Sequence, residues 1–170
     1  MKTLAGTSKG LFEIENGSAN LILNARSVRE VVRFDCDIFV GTGQGLFVSK
    51  DFGTHWSGPR LADHTVWQVR RAVDSTLYAG TYPAALFKSS DGGDTWVKLE
   101  SFSRVVAEQG WCIPVEPPMA SQARAIVTDA DNADVLWVGV EVGGIMYSDD
   151  AGATWTFTAP GGNPDLHMIY

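Results

Sequence analysis

The sequence is poor in cysteine and contains no long apolar run. Its only cysteines among 170 residues are Cys36 and Cys112, and two isolated thiols form neither a disulfide framework nor a metal-ligand spacing. No stretch approaches the roughly 20 apolar residues that a membrane-spanning helix requires. The first residues lack the apolar segment of a secretion signal. We therefore expect a cytoplasmic protein that holds no metal and no cofactor.

Basic residues are fewer than acidic residues. The chain has 13 Lys and Arg against 20 Asp and Glu, a formal net charge of −7. This balance argues against binding to nucleic acid and to anionic membrane surfaces. With 45% hydrophobic and 19% charged residues, the composition is that of a globular chain of one domain or two small ones. Composition does not identify an activity.

Glycine and tryptophan are abundant instead, and their positions reveal an internal repeat. Each copy is an apolar run that ends at glycine, a short turn, and a second apolar run. The matching glycines are Gly6, Gly41, Gly80 and Gly139. Short runs of β-branched and aromatic residues broken by glycine are typical of strands, so each copy predicts a β-hairpin.

Three of these hairpins are followed by a common octet, Ser-x-Asp-x-Gly-x-(Thr/His)-Trp. Serine and aspartate side chains accept backbone N–H bonds in tight turns, glycine provides a positive φ, and tryptophan can cover the turn. The octets span 49–56, 89–96 and 148–155. Their shared positions are Ser49, Asp51, Gly53, Trp56, Ser89, Asp91, Gly93, Trp96, Ser148, Asp150, Gly152 and Trp155.

These octets resemble the Asp-box, or bacterial neuraminidase (BNR) repeat, of sialidase-like β-propellers. The hairpin pattern is similar to that of bacterial exo-sialidase-like repeat proteins and, more distantly, xyloglucanases, sortilin-type receptors and a photosystem II assembly factor. The resemblance implies an all-β propeller of four-stranded antiparallel blades. It implies little about function, because Asp-boxes are structural turns in all these families.

The repeats predict about four blades, each a meander of strands A to D. Strands A are expected at Val28–Phe34, Thr65–Arg71 and Ala123–Asp129. Blade one covers about 1–25, blade two 26–60, blade three 61–100 and blade four 123–160, with an inserted loop at 100–122 and the start of a next blade at 165–170. The last run, Leu166–Tyr170, has the pattern of a strand A. Because related propellers have six to eight blades, we expect an incomplete, open propeller, an N-terminal half. A closed four-blade ring is the alternative.

The resemblance implies that ligands bind on one face of the propeller, and antiparallel order predicts which residues lie on that face. The B–C turns, the D–A connections and the starts of strands A should lie there. The octet aspartates should lie on the opposite face and serve as turn acceptors. The candidates for the ligand-binding face are His64, Trp67, Tyr82, Arg104, Trp111, Glu141 and His167.

A glycosidase would need two carboxylates about 5–10 Å apart. Glu141, Glu116 and Asp165 are candidates, although spacing selects no pair among them. The arginine cluster and the Arg-Ile-Pro segment of true sialidases are absent. The hypothesis is a non-catalytic scaffold that binds a small molecule, glycan or protein. The alternatives are half of a glycoside-hydrolase-like propeller, and a structural assembly unit that self-associates through open propeller edges.

Overall fold

The computed structural model describes residues 2–158, 167 and 169. Seventeen strands and a helix follow one another along these residues. They are β1 (Thr3–Thr7), β2 (Gly10–Glu15), β3 (Ser18–Leu23), β4 (Val28–Phe34), β5 (Asp37–Thr42), β6 (Gly45–Ser49), β7 (Ser57–Arg60), β8 (Thr65–Arg71), β9 (Leu77–Tyr82), β10 (Leu86–Ser89), β11 (Val97–Lys98), α1 (Glu100–Gln109), β12 (Cys112–Ile113), β13 (Met119–Ala120), β14 (Gln122–Thr128), β15 (Leu136–Glu141), β16 (Ile145–Ser148) and β17 (Thr156–Thr158).

The strands form antiparallel meanders in chain order. Sheet 1 is β1-β2-β3, sheet 2 is β4-β5-β6-β7, sheet 3 is β8-β9-β10-β11 and sheet 4 is β14-β15-β16-β17, while β12 and β13 form a small hairpin. Three sheets therefore have the four strands of a propeller blade, and sheet 1 has three. The expected fold class, an all-β propeller of about four antiparallel blades, is confirmed.

The chain divides into two compact units, Met1–Val66 and Trp67–Tyr170. In the first unit, the core is built from residues of sheets 1 and 2, including Leu11, Ile38 and Val40, which are at most 3% exposed. In the second unit, the core joins sheets 3 and 4 to α1 and includes Tyr78 and Phe102.

Two repeat glycines allow neighbouring sheets to approach closely. A Cβ atom at Gly80 would lie 2.6 Å from the carbonyl oxygen of Ala123, and one at Gly6 would lie 2.5 Å from a methyl carbon of Val28. A side chain at either position would overlap with the adjacent sheet. The recurrence of glycine in the hairpins therefore reflects blade packing as well as turn formation.

The three octets share three hydrogen bonds. In each octet the serine Oγ donates to the aspartate at 2.8 Å and accepts from the octet glycine N–H at 2.8 or 2.9 Å. The aspartate then accepts from the backbone N–H four residues later. Each tryptophan directly precedes the last strand of its sheet rather than beginning it, because β7, β11 and β17 start one residue later.

The segment predicted as an inserted loop, 100–122, contains helix α1 and the β12–β13 hairpin. Phe102 is fully buried in the core of its unit, and Val105 and Val106 pack against the same core. Positions i, i+3 and i+4 lie on one face of a helix, so this apolar spacing is a helical signal, and the expectation of a loop is wrong for Glu100–Gln109. The predicted strand at Leu166–Tyr170 lies outside the described residues except for His167 and Ile169.

Candidate functional site

The candidate site is a cluster of polar and aromatic side chains in the second unit, which we call the Arg124–Glu141 cluster. It consists of Trp67, Gln122, Arg124, Glu141 and His167. Gln122 begins β14 and is the cross-strand partner of Glu141, the last residue of β15. The register shifts between Ala123 and Ala125, which leaves Arg124 as the extra residue of a bulge. Bulges redirect side chains and are frequent next to functional sites.

The charged groups of the cluster are paired. Arg124 Nη1 lies 3.0 Å from Glu141 Oε1, and the two side chains are 22% and 12% exposed. His167 Nε2 lies 3.4 Å from the same oxygen. The guanidinium carbon of Arg124 is 4.3 Å from the centre of the Trp67 ring, within the range of a cation–π contact. The arginine is therefore fixed between a carboxylate and an indole face.

Two acceptor atoms in the cluster are buried without a hydrogen-bond partner among the residues that the structure describes. These are Glu141 Oε2 and Gln122 Oε1. A buried acceptor left unpaired is energetically costly, and most such atoms in folded proteins are satisfied by protein or ordered water. The two atoms come from cross-strand partners, whose side chains project from the same face of sheet 4, so both could accept from donor groups that approach that face.

Two other predicted residues lie near this cluster. The β9–β10 turn that follows Tyr82 is joined to the start of β14, because Ala84 N–H donates to the Ser121 carbonyl at 2.8 Å. Trp111 covers the turn after Glu141, where a Cβ at Gly143 would lie 2.8 Å from its ring. Its ring also meets Phe157 edge to face, with centroids 5.3 Å apart.

The remaining predicted residues are placed elsewhere or cannot be placed. Arg104 is exposed on α1, whose first turn contacts the last octet because Ser101 Oγ donates to the Gly152 carbonyl at 2.6 Å. Glu116 is exposed between β12 and β13. His64 belongs to the first unit. Asp165 lies outside the described residues, so the pairing of the three candidate carboxylates stays a prediction.

Sequence reasoning missed Arg124 and Gln122. Both belong to a strand that the sequence predicted to begin at Ala123, and the structure begins it at Gln122. Two arginines, Arg29 and Arg124, are the bulged residues of β4 and β14. The sequence shows an arginine near the start of two strands A, which is a signal for a functional residue. It does not show the bulge that redirects the arginine side chain, because the bulge depends on pairing with the neighbouring strand.

The octet aspartates have a different electrostatic setting. The N–H of His55, followed by its ring, lowers the pKa of Asp51 from 3.8 to about 2. The hydroxyl of Thr154, with its N–H, lowers the pKa of Asp150 to about 2. The hydroxyl and N–H of Thr95 likewise hold the pKa of Asp91 far below its usual range. Hydrogen bonds that favour the ionised form suit a turn acceptor, whereas a general acid requires a raised pKa.

No group of three or more His, Cys, Asp or Glu side chains that could hold a metal ion occurs in the described part of the chain. Within the same residues, the ten-residue helix α1 falls short of the length that crossing a bilayer demands.

No protein-family model matches the chain, and neither does any curated protein. Solved β-propeller structures do match it. A GH74 xyloglucanase from Xanthomonas campestris is 14% identical with a TM-score of 0.66, over 91% of this chain and 27% of that one. A GH74 enzyme from Niastella koreensis is 16% identical with a TM-score of 0.62, over 91% and 27%. YCF48 bound to a D1 peptide is 11% identical with a TM-score of 0.60, over 92% and 49%.

The chain thus spans about a quarter of the length of these GH74 enzymes and half that of YCF48. At such low identity the similarity establishes the propeller fold and nothing further.

Proposed function

We propose that this chain is an Asp-box propeller segment of the sialidase-like superfamily that acts as a non-catalytic binding scaffold. The three octets support the assignment, because they have one hydrogen-bond pattern and hold their aspartates in turns. An aspartate engaged by a serine hydroxyl and a backbone N–H stabilises its own turn. The scaffold would present the ends and turns of neighbouring strands to a partner.

The binding site of this scaffold would be the Arg124–Glu141 cluster. The observation that carries the proposal is the pair of buried acceptors, Glu141 Oε2 and Gln122 Oε1, that have no partner among the described residues. Their most direct use is to accept hydrogen bonds from hydroxyl or amine groups of a small molecule, a glycan or a protein side chain. Arg124 would keep Glu141 oriented for this contact through their 3.0 Å ion pair.

A structural neighbour offers a precedent for peptide recognition, since YCF48 has been solved with a D1 peptide bound. In the present chain a peptide could donate through a lysine ammonium or through its backbone N–H groups. We therefore include amines, peptides and glycans among the ligands to be tested.

Binding can be tested by thermal shift and NMR with a panel of mono- and oligosaccharides, alkylamines and lysine-containing peptides. We expect one ligand class to raise the unfolding temperature of the wild-type chain. Glu141→Gln should abolish that shift, because the amide has one oxygen: when that oxygen pairs with Arg124, the NH2 group faces the ligand as a donor. Glu116→Gln, at an exposed position, is the matched control and should respond like the wild type. Equal shifts in both variants would refute the site.

A second candidate function, half of a glycoside-hydrolase-like propeller, is favoured by the likeness to GH74 enzymes. Incubation with sialosides, xyloglucan oligosaccharides and aryl glycosides distinguishes it. The scaffold predicts no turnover, whereas turnover that Glu141→Gln abolishes would establish the enzyme. A structural assembly unit would instead elute as a stable dimer, and a monomer by size-exclusion chromatography with light scattering would exclude it.

A further inference from the structure

We propose that the first compact unit holds a separate binding site for a small carboxylate with an apolar tail. The site is a cavity of about 270 Å³ between sheets 1 and 2. Its walls are Leu4, Val31 and Ile38, with Phe52 at one side and Arg33 as its cation. This volume lies just below the range of about 300–1,000 Å³ for ligand pockets, which suits a small ligand of about ten non-hydrogen atoms.

Strand register places the lining residues on facing surfaces. Leu4 in β1 is the cross-strand partner of Glu13 in β2, and Arg33 in β4 is that of Ile38 in β5. Directly opposed residues of an antiparallel pair project to the same side of their sheet. Because β1 contacts β4, each sheet supplies one wall, and both walls combine aliphatic and charged side chains.

Phe52 has an unusual conformation for an aromatic residue. It lies in the left-handed region with φ 59°, where the corresponding positions of the other octets are Gly92 and Ala151. The left-handed region is strained for bulky side chains and accepts glycine freely. The side chain is also 66% exposed, so burial does not offset this cost. Its backbone is held by an N–H bond to the Cys36 carbonyl at 3.0 Å. Ligand contact would account for an aromatic residue at this turn.

The charge of the cavity is set by Arg33. Lys2 and Glu13 also line it, but these two opposite charges are paired with each other at 3.1 Å. Arg33 has no hydrogen-bond or ion-pair partner within residues 2–158, 167 and 169. Guanidinium groups bind carboxylates through two parallel hydrogen bonds. A guanidinium without a partner, next to aliphatic side chains and an exposed aromatic ring, therefore favours binding of an anion with an apolar tail.

Octanoate is a suitable probe, with octanol and octylamine as tail-matched controls and acetate as a headgroup control. Isothermal titration calorimetry of the full chain should show octanoate binding at least about tenfold tighter than each control, the contribution expected of a charge-assisted contact. Equal or tighter binding of octanol or octylamine would overturn the proposal, and so would the absence of octanoate binding at millimolar concentration.

Variants locate the site. Arg33→Gln should weaken octanoate binding about tenfold, while Arg26→Gln, exposed on the same unit and outside the cavity, should leave it unchanged. Phe52→Gly should weaken binding and keep or raise the unfolding temperature, because glycine accepts the left-handed backbone without strain. Unchanged binding in Arg33→Gln or Phe52→Gly would refute the site, and a lower unfolding temperature for Phe52→Gly would refute the strain argument.

This site does not depend on the proposed function. None of its lining residues belongs to the Arg124–Glu141 cluster. Failure of the amine, peptide and glycan panel to bind would therefore leave the octanoate prediction unchanged, and failure of octanoate to bind would leave the proposed scaffold function unchanged.

Discussion

At the residue scale, the octet serine is a buried polar group that makes two hydrogen bonds. Ser89 is 2% exposed, donates to Asp91 at 2.8 Å and accepts from Gly93 N–H at 2.9 Å. Its neighbour Ser90 is exposed. Two adjacent serines thus differ in burial and hydrogen bonding while having the same side chain, which makes them a matched pair for mutation.

Ser89→Ala should destabilise the chain by about 1–3 kcal/mol, because the Gly93 N–H is then buried without an acceptor. Ser90→Ala should change the free energy of unfolding by less than about 0.5 kcal/mol, as is usual for exposed positions. Urea unfolding followed by tryptophan fluorescence measures both. Equal effects of the two substitutions would contradict the turn geometry.

The octet aspartates predict a loss of stability in acid. Their pKa values are lowered from 3.8 to about 2 for Asp51 and Asp150. A carboxyl whose pKa is depressed by folding contributes stability above its unfolded pKa, and this contribution is lost as pH falls through the folded value. The unfolding temperature should therefore fall as the pH is lowered from about 4, the unfolded pKa, to about 2, the folded pKa.

Asp150→Asn provides the control for this pH dependence. The amide retains an acceptor oxygen but does not titrate, so the variant should be less stable at pH 7 and lose less stability on acidification. Differential scanning calorimetry at several pH values measures both effects. A decline as steep as that of the wild type would mean that other carboxyls are responsible.

At the element scale, helix α1 is attached to sheet 4 by an aromatic contact. Phe102 is fully buried and meets Trp155 edge to face, with ring centroids 5.3 Å apart. The indole N–H of Trp155 also donates to Ser101 Oγ at 3.2 Å. Trp155 therefore bonds to its own turn and also contacts helix α1.

Phe102→Ala should destabilise the second unit by about 3–5 kcal/mol, the cost of a large cavity in a packed core. Arg104→Ala, two residues along on the exposed side of α1, should have an effect below about 0.5 kcal/mol. Thermal unfolding by circular dichroism compares them. A small effect of Phe102→Ala would show that the helix contributes little to the core.

The elements also differ in how well their sequence predicted them. The ranges of β4 and β8 agree with those expected from their apolar patterns. The sequence does not predict the two-residue strands β12 and β13, because such short strands have no periodicity and depend on two cross-strand pairs, Cys112 with Ala120 and Ile113 with Met119. Helix α1 differs from the expected inserted loop for another reason: the segment lies between two copies of the repeat and does not follow the repeat pattern.

At the scale of the whole molecule, the net charge of −7 predicts weak interaction with polyanions. Like charges repel, and a protein that binds nucleic acid must bring a cluster of Lys and Arg to the phosphates. We expect no binding to duplex DNA or to phosphatidylserine vesicles in 0.15 M salt. Fluorescence anisotropy and vesicle co-sedimentation measure this, and salt-sensitive binding in either assay would contradict the charge argument.

The amino-acid sequence by itself determined the repeat, the hairpins and the octet turns, because these depend on local features: period-two apolar runs, glycine at turns, and serine and aspartate side chains that bond to their own backbone. The tertiary structure alone decided which side chains meet. Arg124 reaches Glu141 through a bulge and Trp67 through packing of sheets 3 and 4, while Phe52 and Arg33 line one cavity because sheets 1 and 2 face each other. Such contacts join residues that are distant along the chain, and no local pattern specifies them.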